Sequence, residues 1–538
     1  MAASHNHTRK TRHLLDLTTT LQSRCATFIA DLVATLPACD QTLDALETML
    51  LPKLWALSQE ILSATMTQQA HTIAPATAPV VCACGQRLPP RLRSATILTR
   101  LGKVTFQRTY GACPTCRTGT APADTVLGIV AGSTSAALDR ELAVLGATHA
   151  SFAAASATLR RLTGITVSPT TVQRATTTVG MALHAAQATA VQQATALLTT
   201  PAAPPPPPPT PVPTLYISMD GVFAPIRPAQ AAECKIGCIS HTRTRPAVPA
   251  TATTPARAAT IRVIAPSYCV GWDGAASFGE VLWAEAVRRG VLHATDIVVL
   301  GDGAAWIWHL ATQYFPTAIQ IVDWYHATTY LAAAATAIWG ETPTPARTTW
   351  LETSTADLWE SRTDAVLAAL ATHMGAHEDV LRAHTYLTNQ RERLDYARYR
   401  ALGLQIGSGS IESAAKRVIV QRLDGSGMHW SRAGADVVSL VRAWWLSDRW
   451  AEVPDVQQGR TRAHPKRQAR PIPSVDTPAQ PPPPARPAAR TLPSKPRPAI
   501  PAAVHAQIRT ELAQERADHP WRKWQRPGVP PPRMAPSG

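Results

Sequence analysis

Cysteine is scarce in this chain: nine in 538 residues, too few for a disulfide-stapled secreted scaffold. Long apolar runs are missing as well. No uninterrupted stretch approaches the ~20 residues that a membrane-spanning helix needs. The first dozen residues are polar and basic, with no secretory apolar segment behind them. Acidic residues are the third shortage, 36 Asp and Glu against 52 Lys and Arg, for a formal net charge of +16. Charged residues are only 16% of the chain, so the excess is basic and not generally ionic. These shortages argue against a secreted or membrane protein. They favour an acidic polymer as partner, nucleic acid first. Part of the charge sits at the end: residues 451–538 hold 15 Lys and Arg and 6 Asp and Glu.

What is present suggests several units, since 45% hydrophobic residues can bury a large core and ~150 residues per domain gives three or four. Residues 1–75 read as helical, with Leu43, Leu46, Met49, Leu50 and Leu54 near a 3.6-residue period and Pro52 a point of kinking. Residues 76–125 read as short strands and turns around four cysteines, and 126–200 as Ala-rich helices. The proline run 201–213 reads as an extended linker. From 214 to 327 the pattern is α/β: LYISMDG, ECKIGCIS, IRVIAPSYCVGW, DIVVLGDGA and AIQIVDWYHA are strands, with a helix over 277–290. Residues 328–405 read as a helical insertion and 406–450 as the last part of the core. The order β-β-β-α-β-α-β followed by helices fits an RNase H-like mixed sheet. Residues 451–538, with 20 of the 47 prolines, read as a disordered basic tail, apart from a short helical segment near 502–518.

Asp220 and Asp302 each end an apolar strand and precede a glycine, in SMDGV and LGDGAA. Ligand sites collect at such strand ends, and neighbouring strands lie ~4.8 Å apart. Two such carboxylates can share a divalent cation. Glu412, in IGSGSIESAAKRVIVQR, is the third candidate, with Ser410 as N-cap and Lys416 and Arg417 on the following turn. Paired Mg²⁺ ions held by such acids activate a water or 3′-hydroxyl and stabilise the leaving oxygen. Strand-end Asp-Gly is also ordinary turn chemistry. In VDWYH, Asp323 and His326 either assist the metal site, hold a phosphate, or form a hydrogen-bonded pair that locks a loop.

Cys82, Cys84, Cys113 and Cys116 form C-x-C and C-x-x-C pairs around a strand-like segment. That pattern suits one structural Zn²⁺ in a zinc-ribbon-like unit, with buried unligated thiols as the alternative. Cys25, Cys39, Cys234, Cys238 and Cys269 read as packing residues. Residues 151–184 suggest a helix-turn-helix, with Ser168 capping and Pro169 opening the second helix. Arg160 and Arg161 would meet phosphates there, and Gln173 and Arg174 would lie early in a reading helix. Plain helix packing gives the same pattern. In QRLDGSGMHWS, Arg422 and Trp430 are candidate DNA contacts near the cut, or part of a solvated loop; Trp444 and Trp445 read as core.

The stretches VVLGDGAAWIWHLATQYFPTAIQIVDWYHATTYL and IGSGSIESAAKRVIVQRLDGSGMHWSRAGADVVSLVRAWWLSDRW resemble the ISKra-type insertion-sequence transposases, bacterial DDE enzymes with an RNase H-like core. MDGVFAPIR followed by AECKIGCIS resembles the family's first catalytic segment. The resemblance covers roughly 80–450 and is densest over 215–450. It implies catalytic acids at Asp220, Asp302 and Glu412, and an Asp-x-x-His element at Asp323 and His326. It also implies two Mg²⁺ or Mn²⁺ ions, double-stranded DNA as element ends and target, a homodimer or larger synaptic complex, and a location on the bacterial nucleoid in the cytoplasm. A catalytically inactive DNA-binding derivative and a non-transposing nuclease of the same fold are the competing readings. The Thr/Pro-rich loop 241–260, the proline linker and the tail depart from the family pattern.

Overall fold

The computed structural model describes residues 2–35, 42–130, 132–199, 214–228, 231–245, 260–375 and 377–461. Cys39, the proline run, the centre of the loop 241–260 and the tail beyond Thr461 lie outside the described residues, and so do the expectations attached to them.

Two long helices open the chain, α1 (Ala2–Thr35) and α2 (Leu43–Ile73). Thr42 caps α2, its hydroxyl accepting from the Ala45 N–H at 3.3 Å. Pro52 lies within α2 and does not end it. The packing face comes later than the 43–54 period suggests: Leu43 and Leu54 are exposed, while Leu62, Met66, Ala70 and Ile73 pack against strand residues. Those strands follow. β1 (Val80–Val81) pairs with β2 (Arg87–Leu88), and β3 (Arg91–Thr99) makes an antiparallel hairpin with β4 (Gly102–Ala112). β5 (Gly119–Thr120) adds to the far side of β4. Ala95, Ile97, Val104 and Phe106 alternate onto the α2 side, as the two-residue period of a half-buried hairpin requires.

A short helix, α3 (Pro122–Leu127), leads to α4 (Ala136–Thr148), α5 (Phe152–Thr163) and α6 (Pro169–Thr199). Gly164, at φ +70°, ends α5. The Ser168 hydroxyl accepts from the Thr171 N–H at 3.1 Å, and Pro169 opens α6. The helix pair foreseen at 151–184 is therefore present. Its second helix spans 31 residues and continues far beyond a reading helix, with the Ala194 carbonyl accepting from the Trp283 indole N–H at 2.9 Å.

The central sheet is mixed. β6 (Thr214–Ala224), β7 (Ile226–Arg227), β8 (Ala232–Arg245) and β9 (Thr260–Gly271) precede α7 (Ala275–Arg288). β10 (Asp296–Gly301), α8 (Ala305–Tyr314), β11 (Ile319–Val322) and α9 (Trp324–Trp339) follow. The sheet order is β11-β10-β6-β8-β9, with β11, β10 and β6 parallel and β8 and β9 joined antiparallel. The last strand is shorter than expected, because Asp323 caps a helix directly after Val322. Residues 328–405 supply the rest of α9 and then α10 (Pro345–Trp359), α11 (Thr363–Ala371), α12 (Glu378–Asn389) and α13 (Tyr396–Ala401). α14 (Gly409–Ala414) runs into a π-helical turn at Ala415–Val420 and the short α15 (Gln421–Leu423). β12 (Trp430–Ser431) pairs with β7, and α16 (Arg432–Leu446) and α17 (Val453–Thr461) complete the described chain.

Side-chain alternation sends Leu215, Ile217 and Met219 of β6 into a core with α7 to α9, while Cys234, Ile236 and Cys238 of β8 enter a second core with α14 and α16. Ala143 and Ala147 of α4 and Val179 and Leu183 of α6 share that second core. Residues 126–200 and the sheet thus close on one another. Trp444 is buried as expected, but Trp445 is 41% exposed. No described helix is long and apolar enough to cross a membrane.

Candidate active site

Asp220 lies inside β6, not at its end. Pairing with β10 stops where Leu300 meets Ser218, whereas pairing with β8 continues to Ala224. Asp220 therefore falls just beyond the reach of β10, where one side of the strand opens. Its Oδ1 accepts from the Gly221 N–H at 2.7 Å. Asp302 follows Gly301, the last residue of β10, and its Oδ1 accepts from the Ala304 N–H at 2.9 Å. The second oxygen of each acid has no hydrogen bond among the described residues.

Glu412 stands in the first turn of α14. That helix starts one residue after Ser408, so Ser410 is inside it and is not its cap. The reason is Asp323. This carboxylate is buried, and its two oxygens are taken by backbone: Oδ1 accepts from the His326 N–H at 2.5 Å, and Oδ2 accepts from the Ser408 N–H. The Trp324 N–H adds a bond to the Ile406 carbonyl at 2.9 Å. Asp323 thus ties the end of β11 to the entry of the Glu412 helix, the loop-locking alternative among the sequence readings. The His326 ring lies beside Tyr330 and Tyr386, at 5.6 and 5.9 Å between centroids.

Burial raises the Asp220 carboxyl to about 6, and the charges of Asp302 and Glu412 push the same way; the Gly221 N–H and His326 oppose them. Asp302 after β10 and Glu412 in α14 are thus both near enough to act on Asp220 of β6. Their oxygens are spaced more openly than a single-ion clasp. Among the described residues, only the four cysteines bring three or more ligand atoms all within 4.8 Å.

The helical insertion holds the Asp302 turn. The Tyr386 hydroxyl on α12 donates to the Asp302 carbonyl at 2.6 Å, and the Gln390 amide donates to the Gly303 carbonyl at 3.0 Å. Gly303 sits at φ +107°, and an added Cβ would come 2.6 Å from the Tyr386 ring. Tyr386 stacks on Tyr330 at 4.0 Å, and burial first, then Tyr330 and the nearby acids, raise its phenol, which stays a donor. Nothing in the local sequence announces these partners, because they lie 84 and 87 residues past the turn they hold. Glu233 and Lys235, 3.0 Å apart, flank Gly221, and Lys235 lies over the Trp306 ring at 4.2 Å. Two charges within the apolar ECKIGC strand were the available signal for them.

Lys416 and Arg417 are exposed on the π-helical turn, and Arg160, Arg161, Gln173 and Arg174 are exposed on α5 and α6, well separated in the chain from the acids. Arg422 and Trp430 do not behave as DNA contacts. Arg422 is buried, donating from Nε to the Gly146 carbonyl at 3.1 Å and from Nη1 to the Ala150 carbonyl at 3.3 Å. Its guanidinium packs over Trp430 at 4.7 Å, whose indole N–H donates to the Leu423 carbonyl at 3.1 Å. Phe152, 5.1 Å from the Arg422 guanidinium and 6.3 Å from Trp430 between ring centroids, and the second core around Leu423 draw both side chains inward. Arg442, absent from the sequence reading, is buried beside them. It donates to the carbonyls of Val418 at 2.9 Å, Ala147 at 2.7 Å and Arg417. Burial brings both guanidinium groups down to about 10, so both stay charged near neutral pH.

The cysteine quartet is preformed. Gly85, at φ +85°, lets its N–H reach the Cys82 carbonyl at 2.8 Å, and the Cys116 N–H points to the Cys113 sulfur at 3.4 Å. The Cys84 N–H lowers the Cys82 thiol to about 6, while bonding to Cys84 raises Cys116 to about 12. This group can hold a metal ion, and four sulfur donors are a set that suits zinc. Cys234, Cys238 and Cys269 are buried, and burial raises their thiols.

The chain belongs to the uncharacterised protein family UPF0236, whose model matches residues 89–447. No match to a curated protein was found.

Proposed function

We propose that the chain is a DDE transposase of the ISKra type, with an RNase H-like core, that binds the terminal repeats of an insertion sequence and cuts and rejoins DNA. The observation that carries this reading is the placement of Asp220 and Asp302 just past the end of the β6–β10 pairing in a sheet ordered β11-β10-β6-β8-β9, with Glu412 of α14 near enough to act on Asp220. The family is associated with transposase-like proteins. Carboxylates with a spare oxygen are the hard donors that Mg²⁺ or Mn²⁺ prefers. Bound by the three acids, two such ions would supply a polarised phosphodiester and a nucleophile at neutral pH.

The chain's own residues prepare the site. Asp323 positions the Glu412 helix, and Tyr386 and Gln390 fix the Asp302 turn. Lys416 and Arg417, exposed just after Glu412, would neutralise backbone phosphates. Arg160, Arg161, Gln173 and Arg174 are proposed to contact the terminal repeats. Water attacks one phosphodiester and frees a 3′-hydroxyl; that hydroxyl then attacks target DNA and displaces a second 3′-oxygen. Zn²⁺ is assigned to the four cysteines in a ribbon-like unit, as a structural ion with no open position. Two ends must be held together, so a homodimer or larger complex on nucleoid DNA in the bacterial cytoplasm is part of the proposal.

The test is cleavage and strand transfer of labelled element-end DNA with Mg²⁺ or Mn²⁺. D220N, D302N and E412Q are each expected to abolish cutting and retain end binding. Robust cutting by all three ends the proposal. Wild-type protein that binds ends and never cuts favours a DNA-binding derivative, and cutting without strand transfer favours a nuclease.

A further inference from the structure

The outer end of the β8–β9 pair is a two-stranded ribbon. Pairing of β6 with β8 ends where Tyr216 meets Ser240, whereas β8 and β9 stay paired outward to Arg245 and Thr260. Ile239 pairs with Ser267 and His241 with Ile264, so β9 carries one extra residue there, with Ala265 at φ +46°. A bulge of this kind re-aims the strands beyond it. Residues 246–259 lie outside the described residues, and the ribbon is defined without them.

Residues 234–272 contain no Asp or Glu. Arg243 stands directly opposite Arg262, and Arg245 follows two residues on, so alternation sends all three side chains to one face. All three are exposed, and none has a carboxylate partner among the described residues. The extra residue is on β9, so β8 keeps its alternation, and this face continues that of Gly237 and Ile239, which is covered by α7. Arg289, just past α7, donates from Nη1 to the Ala265 carbonyl at 2.7 Å and is near enough to act on His241. A fourth guanidinium thus stands at the root of the ribbon. Like charges directly opposite one another weaken a strand pair, and two strands without a third are marginal in water. Charge also protects strand edges from adding another strand, but that role is served from either face and does not gather arginines on one.

We propose that this face of the ribbon is a sequence-independent grip on the phosphate backbone of duplex DNA, with Arg243, Arg245 and Arg262 each taking a phosphate and Arg289 adding charge at the root. A guanidinium meets a phosphate through two parallel hydrogen bonds. Arg243 and Arg245 lie ~6.8 Å apart along the strand, far enough to take separate phosphates. The paired residues 241–245 and 260–264 include no amide or carboxylate side chain for reading bases. Arg243 is seven residues along β8 from Ile236, the partner of Asp220, so the grip lies ~23 Å along the sheet from the acids. It holds DNA away from the phosphodiester that is cut. The choice of DNA as the polyanion rests on the transposase reading; the clustered, unpaired arginines stand without it.

The experiment is fluorescence anisotropy with the full chain and a labelled mixed-sequence DNA duplex of ~30 base pairs, in chelator, titrated across a range of salt. R243Q/R245Q/R262Q is expected to lower the slope of log affinity against log salt by about 2 to 3, and to weaken binding roughly tenfold to a hundredfold at ~0.1 M salt. Its far-ultraviolet dichroism should match wild type, since all three side chains are exposed. R245Q alone, at the outer end, should lower the slope by about 1, which tests the grip with the Arg243 and Arg262 pair intact. R362A/R382A/R391A removes the same formal charge from arginines already paired with Asp357, Glu378 and Asp364, and should leave the slope unchanged. An unchanged slope in the glutamine variants overturns the proposal, as does an equal fall in the control. A larger loss on duplex RNA than on DNA assigns the face to RNA and overturns it too. Cutting is followed separately on labelled element-end DNA with Mg²⁺. Wild type that cuts while the glutamine variants keep their slope removes this grip alone. A slope that falls while wild type never cuts removes the transposase reading and leaves the grip standing.

Discussion

A carboxyl group raised to about 6 inside a sheet is a cost as well as a tool. An unfolded Asp titrates near 3.8, so the fold binds the Asp220 proton more tightly than the unfolded chain does. The associated stability is complete below the unfolded value and is lost as pH rises through about 6, by on the order of 3 kcal/mol. D220N should therefore be more stable than wild type in urea with chelator near pH ~8, and the gap should close as pH falls below the folded value. Equal stability at high pH would show that burial is not the cause. Arg442 is the opposite case, a charge that serves the fold. Arg442→Leu leaves the carbonyls of Ala147, Arg417 and Val418 without their donor and should cost about 3 kcal/mol in denaturation. An arginine in LVRAWWL was visible as an exception on an apolar helix, but its acceptors were not, because two of them arise only from the π-helical turn.

Whole elements read well where the period was strong and neighbours were close. All five central strands were legible, yet two ends were misjudged for tertiary reasons. β6 runs past Asp220 because β8 keeps pairing with it, and β11 stops early because Asp323 is recruited as a helix cap. The Glu412 helix begins earlier than Ser410 implied, because the Ser408 N–H is held from another loop. The role of the helical insertion was not legible at all. Removing the Tyr386 hydroxyl with Y386F deletes one bond to the Asp302 carbonyl, worth about 1 kcal/mol. Mn²⁺ affinity measured by calorimetry should fall severalfold, with secondary structure unchanged. G303A should lose more, since the residue sits at φ +107° against the Tyr386 ring. A G303A protein that binds Mn²⁺ like wild type would free the insertion of any part in positioning the acid. In the cysteine unit, C113S should reduce bound zinc from about one equivalent to near none by elemental analysis, because three sulfurs no longer close a tetrahedron.

At the scale of the molecule, composition announced several units, but it could not say which segments share a core. α4 and α6 precede the proline run in the chain and still pack in the same cluster as Ile236, Val418 and Val438. A fragment 214–461 would expose that apolar surface. It is expected to aggregate or to unfold without cooperativity by dichroism, whereas a fragment 132–461 should melt in one transition. Clean two-state melting of the shorter fragment would show the helices to be dispensable. The π-helical turn carries one more implication. Residues 415–420 accommodate a surplus residue relative to a regular α-turn, and the carbonyls of Arg417 and Val418, both within this turn, are acceptors Arg442 uses. Chain length at this turn and side-chain identity at 442 are therefore inherited together. A relative that shed one residue here would close an ordinary helix and be free to carry an aliphatic group where this chain must keep a guanidinium.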